Sequence, residues 1–138
     1  MPRKVYKSLV AVMWLLLPAS ALEYWRGWDR LPARMAVHFN ANFEPNGYTS
    51  REGALMLGLG IMAVMLILCT VAALAAYALK PAASGPALLI SYVVLGFIWF
   101  GNHSIIEFNL KSQPARSELV GTISPGTRNS PTVVQLLS

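Results

Sequence analysis

The sequence predicts an all-α integral membrane protein with three transmembrane helices, a short ordered extracytoplasmic loop between helices 1 and 2, and a mostly irregular carboxyl-terminal tail. Hydrophobic residues make up 55% of the 138 residues and charged residues only 12%, and the mean hydropathy is +0.50. Soluble domains usually have a more polar balance. The apolar residues also gather in three stretches of bilayer length. We therefore expect a membrane domain at residues 1–108 and a polar extracytoplasmic tail at residues 109–138.

The first predicted span covers residues 8–25 and follows a basic amino terminus. The basic start, the short apolar core and the small residues Ala19-Ser20-Ala21 are also typical of a secretory signal with its cleavage site. Aromatic residues beyond that point, Trp25 and Trp28, favour instead a retained helix that leaves the bilayer there, with Pro18 as a tolerated kink. The sequence leaves both interpretations open.

The second and third predicted spans, residues 53–79 and 87–106, are joined by a short connection. The second span has no charged residue and is longer than the hydrocarbon core is thick, so it must tilt or protrude. Thr49 and Glu52 before it have the spacing of a capping box, which predicts a helix start. Two prolines and a glycine at residues 80–86 predict a tight connection into the third span.

Three crossings place the loop at residues 26–52 and the tail on one side of the membrane, and the amino terminus on the other. Counting lysines and arginines alone favours a cytoplasmic loop. The first helix usually dominates the orientation, however, and the charges that precede it within residues 1–7 are all basic. We therefore expect the amino terminus in the cytoplasm and the loop outside.

The loop carries signals of local order rather than of a passive linker. Met35, Val37 and Phe39 alternate with Ala36 and His38, which predicts a short extended stretch with one apolar side. The next segment, Pro-Asn-Gly at residues 45–47, predicts a turn, because proline suits its first central position and Asn-Gly tolerates positive φ.

Four short motifs of the loop carry a family resemblance: Leu31-Pro32, His38-Phe39-Asn40, Glu44-Pro45-Asn46-Gly47 and Ser50-Arg51. In order and spacing they are similar to the domain of unknown function 1648, which forms the amino-terminal part of SdpI-like bacterial membrane proteins. Ala36 stands where the family often has proline, and Phe43 stands where it has glycine. The resemblance implies a bacterial inner-membrane protein and, for SdpI itself, an immunity and signalling role against a secreted toxic peptide.

The candidate binding residues are eight side chains of the loop and the third span: His38, Phe39, Asn40, Glu44, Asn46, Asn102, His103 and Glu107. His38 can bind a metal, sense pH or contact a peptide ligand, or it can anchor the loop by hydrogen bonds to the backbone. His103 and Glu107 are four residues apart, so they share a helix face and can pair.

The topology puts these two groups of candidates on one side of the membrane, where His38, Asn40, His103 and Glu107 can converge in one polar site. Two histidines and a carboxylate are a possible set of transition-metal ligands. The close spacing of zinc motifs is absent, however, so we expect no metal and no other cofactor.

Composition and motifs exclude several classes of function. Three spans leave no room for a separate soluble catalytic domain, and no phosphate loop, nucleophile elbow or pair of catalytic carboxylates occurs in the sequence. A single cysteine, Cys69, excludes a disulfide framework, and scattered basic residues argue against nucleic acid as a partner.

We therefore expect a non-enzymatic protein of the lipid bilayer that uses the loop at residues 29–51 for recognition, in an immunity or signalling role, with a peptide ligand, a lipid or a larger partner. One alternative is an accessory structural subunit that packs against other membrane subunits. The other is a metal-dependent membrane enzyme.

Overall fold

The computed structural model describes residues 1–112. It is mostly helical, and three segments are long and apolar enough to cross a membrane: Arg3–Arg30, Arg51–Leu79 and Pro81–Lys111. They coincide with the three predicted spans, so the predicted multi-pass helical fold is confirmed. The elements in chain order are α1 (Arg3–Met13), α2 (Leu16–Gly27), β1 (Arg34–Phe39), β2 (Pro45–Ser50), α3 (Arg51–Leu79) and α4 (Ser84–Lys111), with 3-10 turns at Trp28–Arg30 and Pro81–Ala83.

The first span is interrupted between α1 and α2, one turn before Pro18. Proline lacks a backbone N–H, and its ring clashes with the carbonyl group four residues earlier, which here belongs to Trp14. That carbonyl oxygen accepts a bond from the Leu17 N–H at 3.4 Å instead. The predicted proline kink is therefore present, and it separates two helical segments.

The start of α3 differs from the predicted one. Ser50 is the N-cap, because its Oγ accepts a hydrogen bond from the Gly53 N–H at 2.9 Å. The predicted capping box of Thr49 and Glu52 is wrong by one residue, and α3 begins at Arg51 instead of Gly53. Either hydroxyl residue can cap a helix; Ser50 does so here because it is the last residue of β2 and directly precedes α3.

α4 is longer than predicted at both ends. It begins at Ser84, and Gly85 and Pro86 lie in its first turn. Proline is tolerated there, because the N–H that it lacks would have no partner within the helix. It continues to Lys111, so residues 109–111 of the predicted tail are helical. Ser112 is its C-cap, and residues 113–138 of the predicted tail lie outside the described residues.

The core of the bundle runs along the inner faces of all three spans. Buried side chains include Met13 from α1, Met62 and Leu66 from α3 and Leu95 from α4. The hydroxyl of Tyr6 donates to the Ala73 carbonyl oxygen at 2.8 Å and ties α1 to α3.

The outer faces of the spans are also covered by large apolar side chains, among them Met56, Phe97 and Phe100. A continuous apolar exterior of this kind is costly in water. Lipid is therefore the solvent that suits these helices.

β1 and β2 form an antiparallel hairpin in the loop between the first two spans. Val37 is a bulge in the ladder, since Ala36 pairs with Tyr48 and His38 pairs with Gly47. The bulge breaks the predicted alternation, and Met35 and Ala36 are both buried.

The turn of the hairpin lies at residues 40–44, and Pro45 to Gly47 are the first residues of β2. The predicted turn at residues 45–47 is therefore wrong. The chain reverses before Pro45, because backbone N–H groups of residues 42 and 44 donate hydrogen bonds to the Asn40 side chain.

Candidate functional site

Asn109 fixes the hairpin to the carboxyl-terminal end of α4. Its Oδ1 accepts a hydrogen bond from the Ala36 N–H, and its Nδ2 donates to the Ala36 carbonyl oxygen, each at 2.8 Å. Nδ2 also donates to the Ile105 carbonyl oxygen at 2.8 Å. Asn109 and Ala36 are each only 2% exposed, so water does not compete for these bonds. The side-chain amide thus occupies the position of a third strand at the outer edge of β1.

One aromatic pair and one arginine complete the attachment of the hairpin. The ring of Phe39 meets the ring of Phe108 edge to face, with 4.9 Å between the centroids. Arg51 Nη1 donates to the Trp28 carbonyl oxygen at 2.9 Å, and its guanidinium lies 4.4 Å from the centroid of the Trp28 ring. The hairpin is therefore held directly by α4, and Arg51 ties the start of α3, next to β2, to the end of the first span. It forms a platform at the end of the bundle where α4 ends.

Asn40 shapes the turn of the hairpin. Its Oδ1 accepts hydrogen bonds from the Asn42 and Glu44 N–H groups, both at 2.9 Å. Its Nδ2 donates to Glu44 Oε2 at 3.1 Å. Two candidate binding residues, Asn40 and Glu44, thus hold each other. Phe43 completes the turn with φ 59°, a left-handed conformation that glycine adopts more readily.

His38 pairs with Asn46 across the hairpin. The distance from His38 Nδ1 to Asn46 Oδ1 is 2.6 Å, so the histidine nitrogen donates and the amide oxygen accepts. Gly47 permits this close approach of the strands, because a Cβ there would lie 2.7 Å from the His38 Cβ. The exposed imidazole is therefore oriented by the hairpin itself, but through a side-chain amide and not through the backbone carbonyls that the anchoring interpretation expected.

One face of the hairpin and the end of α4 enclose a cavity of about 410 Å³, which we call the hairpin pocket. Pro32, Pro45 and Phe108 are part of its apolar lining. Its cation is Arg34, whose guanidinium lies 5.4 Å from the centroid of the Tyr48 ring. No carboxylate among residues 1–112 pairs with Arg34. The pocket can therefore offer a positive charge to a ligand.

A second cavity, of about 240 Å³, lies between α2 and α4 and is called here the interfacial pocket. At its wall His103 sits between two carboxylates, with Nδ1 3.3 Å from Glu23 Oε1 and Nε2 3.9 Å from Glu107 Oε2. Lys111 Nζ donates to Glu107 Oε1 at 2.6 Å. The His103 ring stacks on Trp99, with 5.5 Å between the centroids. These contacts give the pocket a polar wall.

Asn102 directly precedes His103 in α4 and joins that helix to α3. Its Nδ2 donates to the Gly58 carbonyl oxygen at 3.1 Å, and the nearby hydroxyl of Tyr24 donates to the Ala54 carbonyl oxygen at 3.2 Å. A Cβ at Gly58 would lie 2.7 Å from Asn102 Oδ1 and 2.8 Å from the Tyr24 hydroxyl. Asn102 is therefore a packing residue, and Gly58 provides the space for it.

Residues 9–62 match the family model of a domain of unknown function, DUF1648. This stretch runs from α1 through α2 and the hairpin into α3, and it includes the four loop motifs. The chain contains a DUF1648 domain. Comparison with curated proteins and with solved structures gave no match.

α4 lies outside the matched DUF1648 residues but contributes to both pockets. It supplies Phe108 and Asn109 to the hairpin pocket and His103 and Glu107 to the interfacial pocket. In this chain the surroundings of the loop are therefore built in part by a helix that lies outside the matched residues.

The candidate residues do not meet in one polar site. Among residues 1–112, no polar contact joins His38 to His103, and no three His, Cys, Asp or Glu side chains are grouped to hold a metal ion. The reason lies in the rotation of α4. The five residues from His103 to Phe108 correspond to about 140° around a helix, so His103 faces α2 whereas Phe108 faces the hairpin.

Four residues important to these pockets were missed by the sequence argument: Glu23, Arg34, Tyr48 and Asn109. Asn109 was assigned to the tail because the apolar run ends near residue 106. A signal for it existed, since Asn102 and Asn109 are seven residues apart and therefore share a helix face over two turns. No comparable sequence signal pointed to Arg34 and Tyr48, whose proximity depends on the register of the hairpin.

Proposed function

We propose that this protein is a non-enzymatic, SdpI-like recognition module of a bacterial inner membrane, which binds an extended peptide with a free carboxylate at the hairpin pocket. The observation that carries the proposal is the fixed attachment of the hairpin by Asn109. A loop that only connected two spans would not require two buried side-chain bonds to its backbone. A platform ordered before binding loses little conformational entropy when a ligand arrives.

The chemistry of the pocket supports a carboxylate ligand. Arg34 has no acidic partner among residues 1–112, and arginine is suited to bidentate recognition of a carboxylate. The apolar lining, including Phe108 and the two prolines, offers contact to an aliphatic or aromatic side chain.

The backbone supports a peptide rather than a small acid. In the described residues the sheet has two strands only, so the outer edge of β2 has no strand partner. An extended peptide can add to such an edge through main-chain hydrogen bonds.

The test is a selection of random peptides, displayed with free carboxyl termini, against the protein in lipid nanodiscs. We expect enrichment of peptides with acidic residues or terminal carboxylates over empty nanodiscs. Arg34→Gln should weaken the selected peptides about tenfold or more, since it removes a charge-assisted hydrogen bond. The matched control is Arg3→Gln, which removes an equal charge from the other end of the first span.

Either of two results would reject the proposal: no enrichment over empty nanodiscs, or equal binding of the selected peptides by the wild type and Arg34→Gln. A fixed partner that co-elutes in mild detergent would favour the accessory-subunit alternative.

The proposed orientation, with the amino terminus in the cytoplasm and the hairpin outside, has a separate test. Asn42 in the hairpin turn and Ala82 in the connection between α3 and α4 are both exposed. Each is replaced by cysteine in a Cys69→Ala background and treated with an impermeant thiol reagent on intact cells. We expect labelling at position 42 only, whereas labelling at position 82 only would invert the orientation.

A further inference from the structure

The interfacial pocket contains two arginines that the hairpin does not use. Arg26, in the last turn of α2, and Arg30, in the 3-10 turn that follows, both line it at the end of the first span. No carboxylate among residues 1–112 forms an ion pair with either one. Two neighbouring like charges repel each other. Glu23 and Glu107 line the same pocket without pairing with either arginine, so an anion placed between the arginines would relieve their repulsion.

Glu23 presents an unused acceptor in the same pocket. Its Oε1 faces His103, but its Oε2 is inaccessible to solvent and has no hydrogen-bond partner among the described residues. A buried carboxylate oxygen without a donor is costly. Glu107, by contrast, is held by Lys111. The pocket thus combines two cationic groups with one acceptor that lacks a donor.

The position of the pocket indicates the source of such a ligand. Trp25 and Trp28 mark the level of α2 at which transmembrane helices meet the headgroups, and Trp25 is 76% exposed. The apolar side chains of Ile106 and Leu110 also line the cavity. A ligand held there has its charged part between the arginines and its apolar part against lipid.

We propose that the interfacial pocket binds the headgroup of a phospholipid, with its phosphodiester on Arg26 and Arg30 and a hydrogen-bond donor of its alcohol on Glu23. Arginine suits a phosphate because its planar fork makes paired hydrogen bonds. The hydroxyls of a glycerol headgroup and the ammonium of an ethanolamine headgroup are suitable donors, whereas the choline headgroup has none. The site is separate from the hairpin pocket and does not depend on a peptide ligand.

The test measures retained lipid by native mass spectrometry after the purified protein is equilibrated with defined phospholipids in mild detergent. We expect phosphatidylglycerol and phosphatidylethanolamine to be retained about tenfold better than phosphatidylcholine. The double variant Arg26→Gln/Arg30→Gln should lose this retention by a similar factor. The control Arg3→Gln/Lys7→Gln removes the same charge at the other end of the first span and should retain lipid as the wild type does.

A second variant separates the two contacts. Glu23→Leu should abolish the preference over phosphatidylcholine while binding to the arginines persists. Circular dichroism of each variant confirms that it is folded.

Three outcomes overturn the proposal. The first is equal lipid retention by the two double variants, and the second is equal retention of phosphatidylcholine and phosphatidylglycerol by the wild type. The third is complete displacement of lipid by excess inorganic phosphate, which would identify a soluble anion as the ligand. Failure of peptide binding at Arg34 leaves all three readouts unaffected.

Discussion

Replacing Asn109 by alanine tests the attachment of the hairpin most directly. The substitution removes three side-chain hydrogen bonds of 2.8 Å. It leaves the N–H and the carbonyl oxygen of Ala36 without partners at a residue that is 2% exposed. Each buried group that loses its partner costs about 1–3 kcal/mol, so the free energy of hairpin opening should fall by about 2 kcal/mol or more.

Hydrogen–deuterium exchange in detergent micelles measures this free energy on peptides that cover β1 and β2. A loss of about 2 kcal/mol corresponds to about 30-fold faster exchange, while α3 should keep its protection. Asn42→Ala is the matched control, because it removes an exposed amide from the same hairpin. If β1 exchanges equally slowly in Asn109→Ala and in this control, the Asn109 amide does not hold the hairpin.

Three further substitutions have expected effects on stability. Phe43→Gly should stabilise the turn by about 0.5–1 kcal/mol, because φ 59° strains phenylalanine and its side chain is 86% exposed; slower exchange at residues 40–44 is the measurement. Gly58→Ala should cost about 1–3 kcal/mol, because its Cβ would lie 2.7 Å from a side-chain oxygen. Gly60→Ala, with open space around it in the interior of α3, should keep or slightly raise the unfolding temperature in detergent. Equal destabilisation by the two substitutions would contradict the packing argument. Ser50→Ala should lower the free energy of unfolding by about 1 kcal/mol, because α3 loses its N-cap. If Thr49→Ala has this effect and Ser50→Ala does not, Thr49 is the cap, as the predicted capping box requires.

The loop shows which structural features local sequence signals predict correctly and which they misplace. An extended stretch at residues 35–39 was predicted from alternation alone, and it is present as β1. The turn was misplaced, because Pro-Asn-Gly is a strong turn signal in isolation. Asn40 instead closes the chain with two side-chain bonds, and Phe43 accepts a left-handed φ. Here the side-chain bonds of Asn40 within the turn outweigh the local preference of phenylalanine.

The candidate site shows which contacts the spacing of residues in the sequence predicts and which it does not. His103 and Glu107 lie near each other as predicted, because their spacing is a property of any α-helix. Their other partner, Glu23, comes from a different helix, so no spacing in the sequence indicates it. His38 was expected to join them, but the rotation of α4 directs His103 toward α2.

The sequence by itself determined that three segments cross a membrane and that an ordered loop separates the first two. The hydropathy of some twenty residues is the sum of the contributions of those residues alone. It favours insertion of the segment into lipid whatever the neighbouring helices are. Only the tertiary structure decided which polar groups meet, namely the Asn109 amide with the backbone of Ala36 and the His103 ring with the Glu23 carboxylate. Those pairings depend on how far each helix is rotated and where the hairpin ladder is in register, and both are properties of packed elements rather than of any one segment.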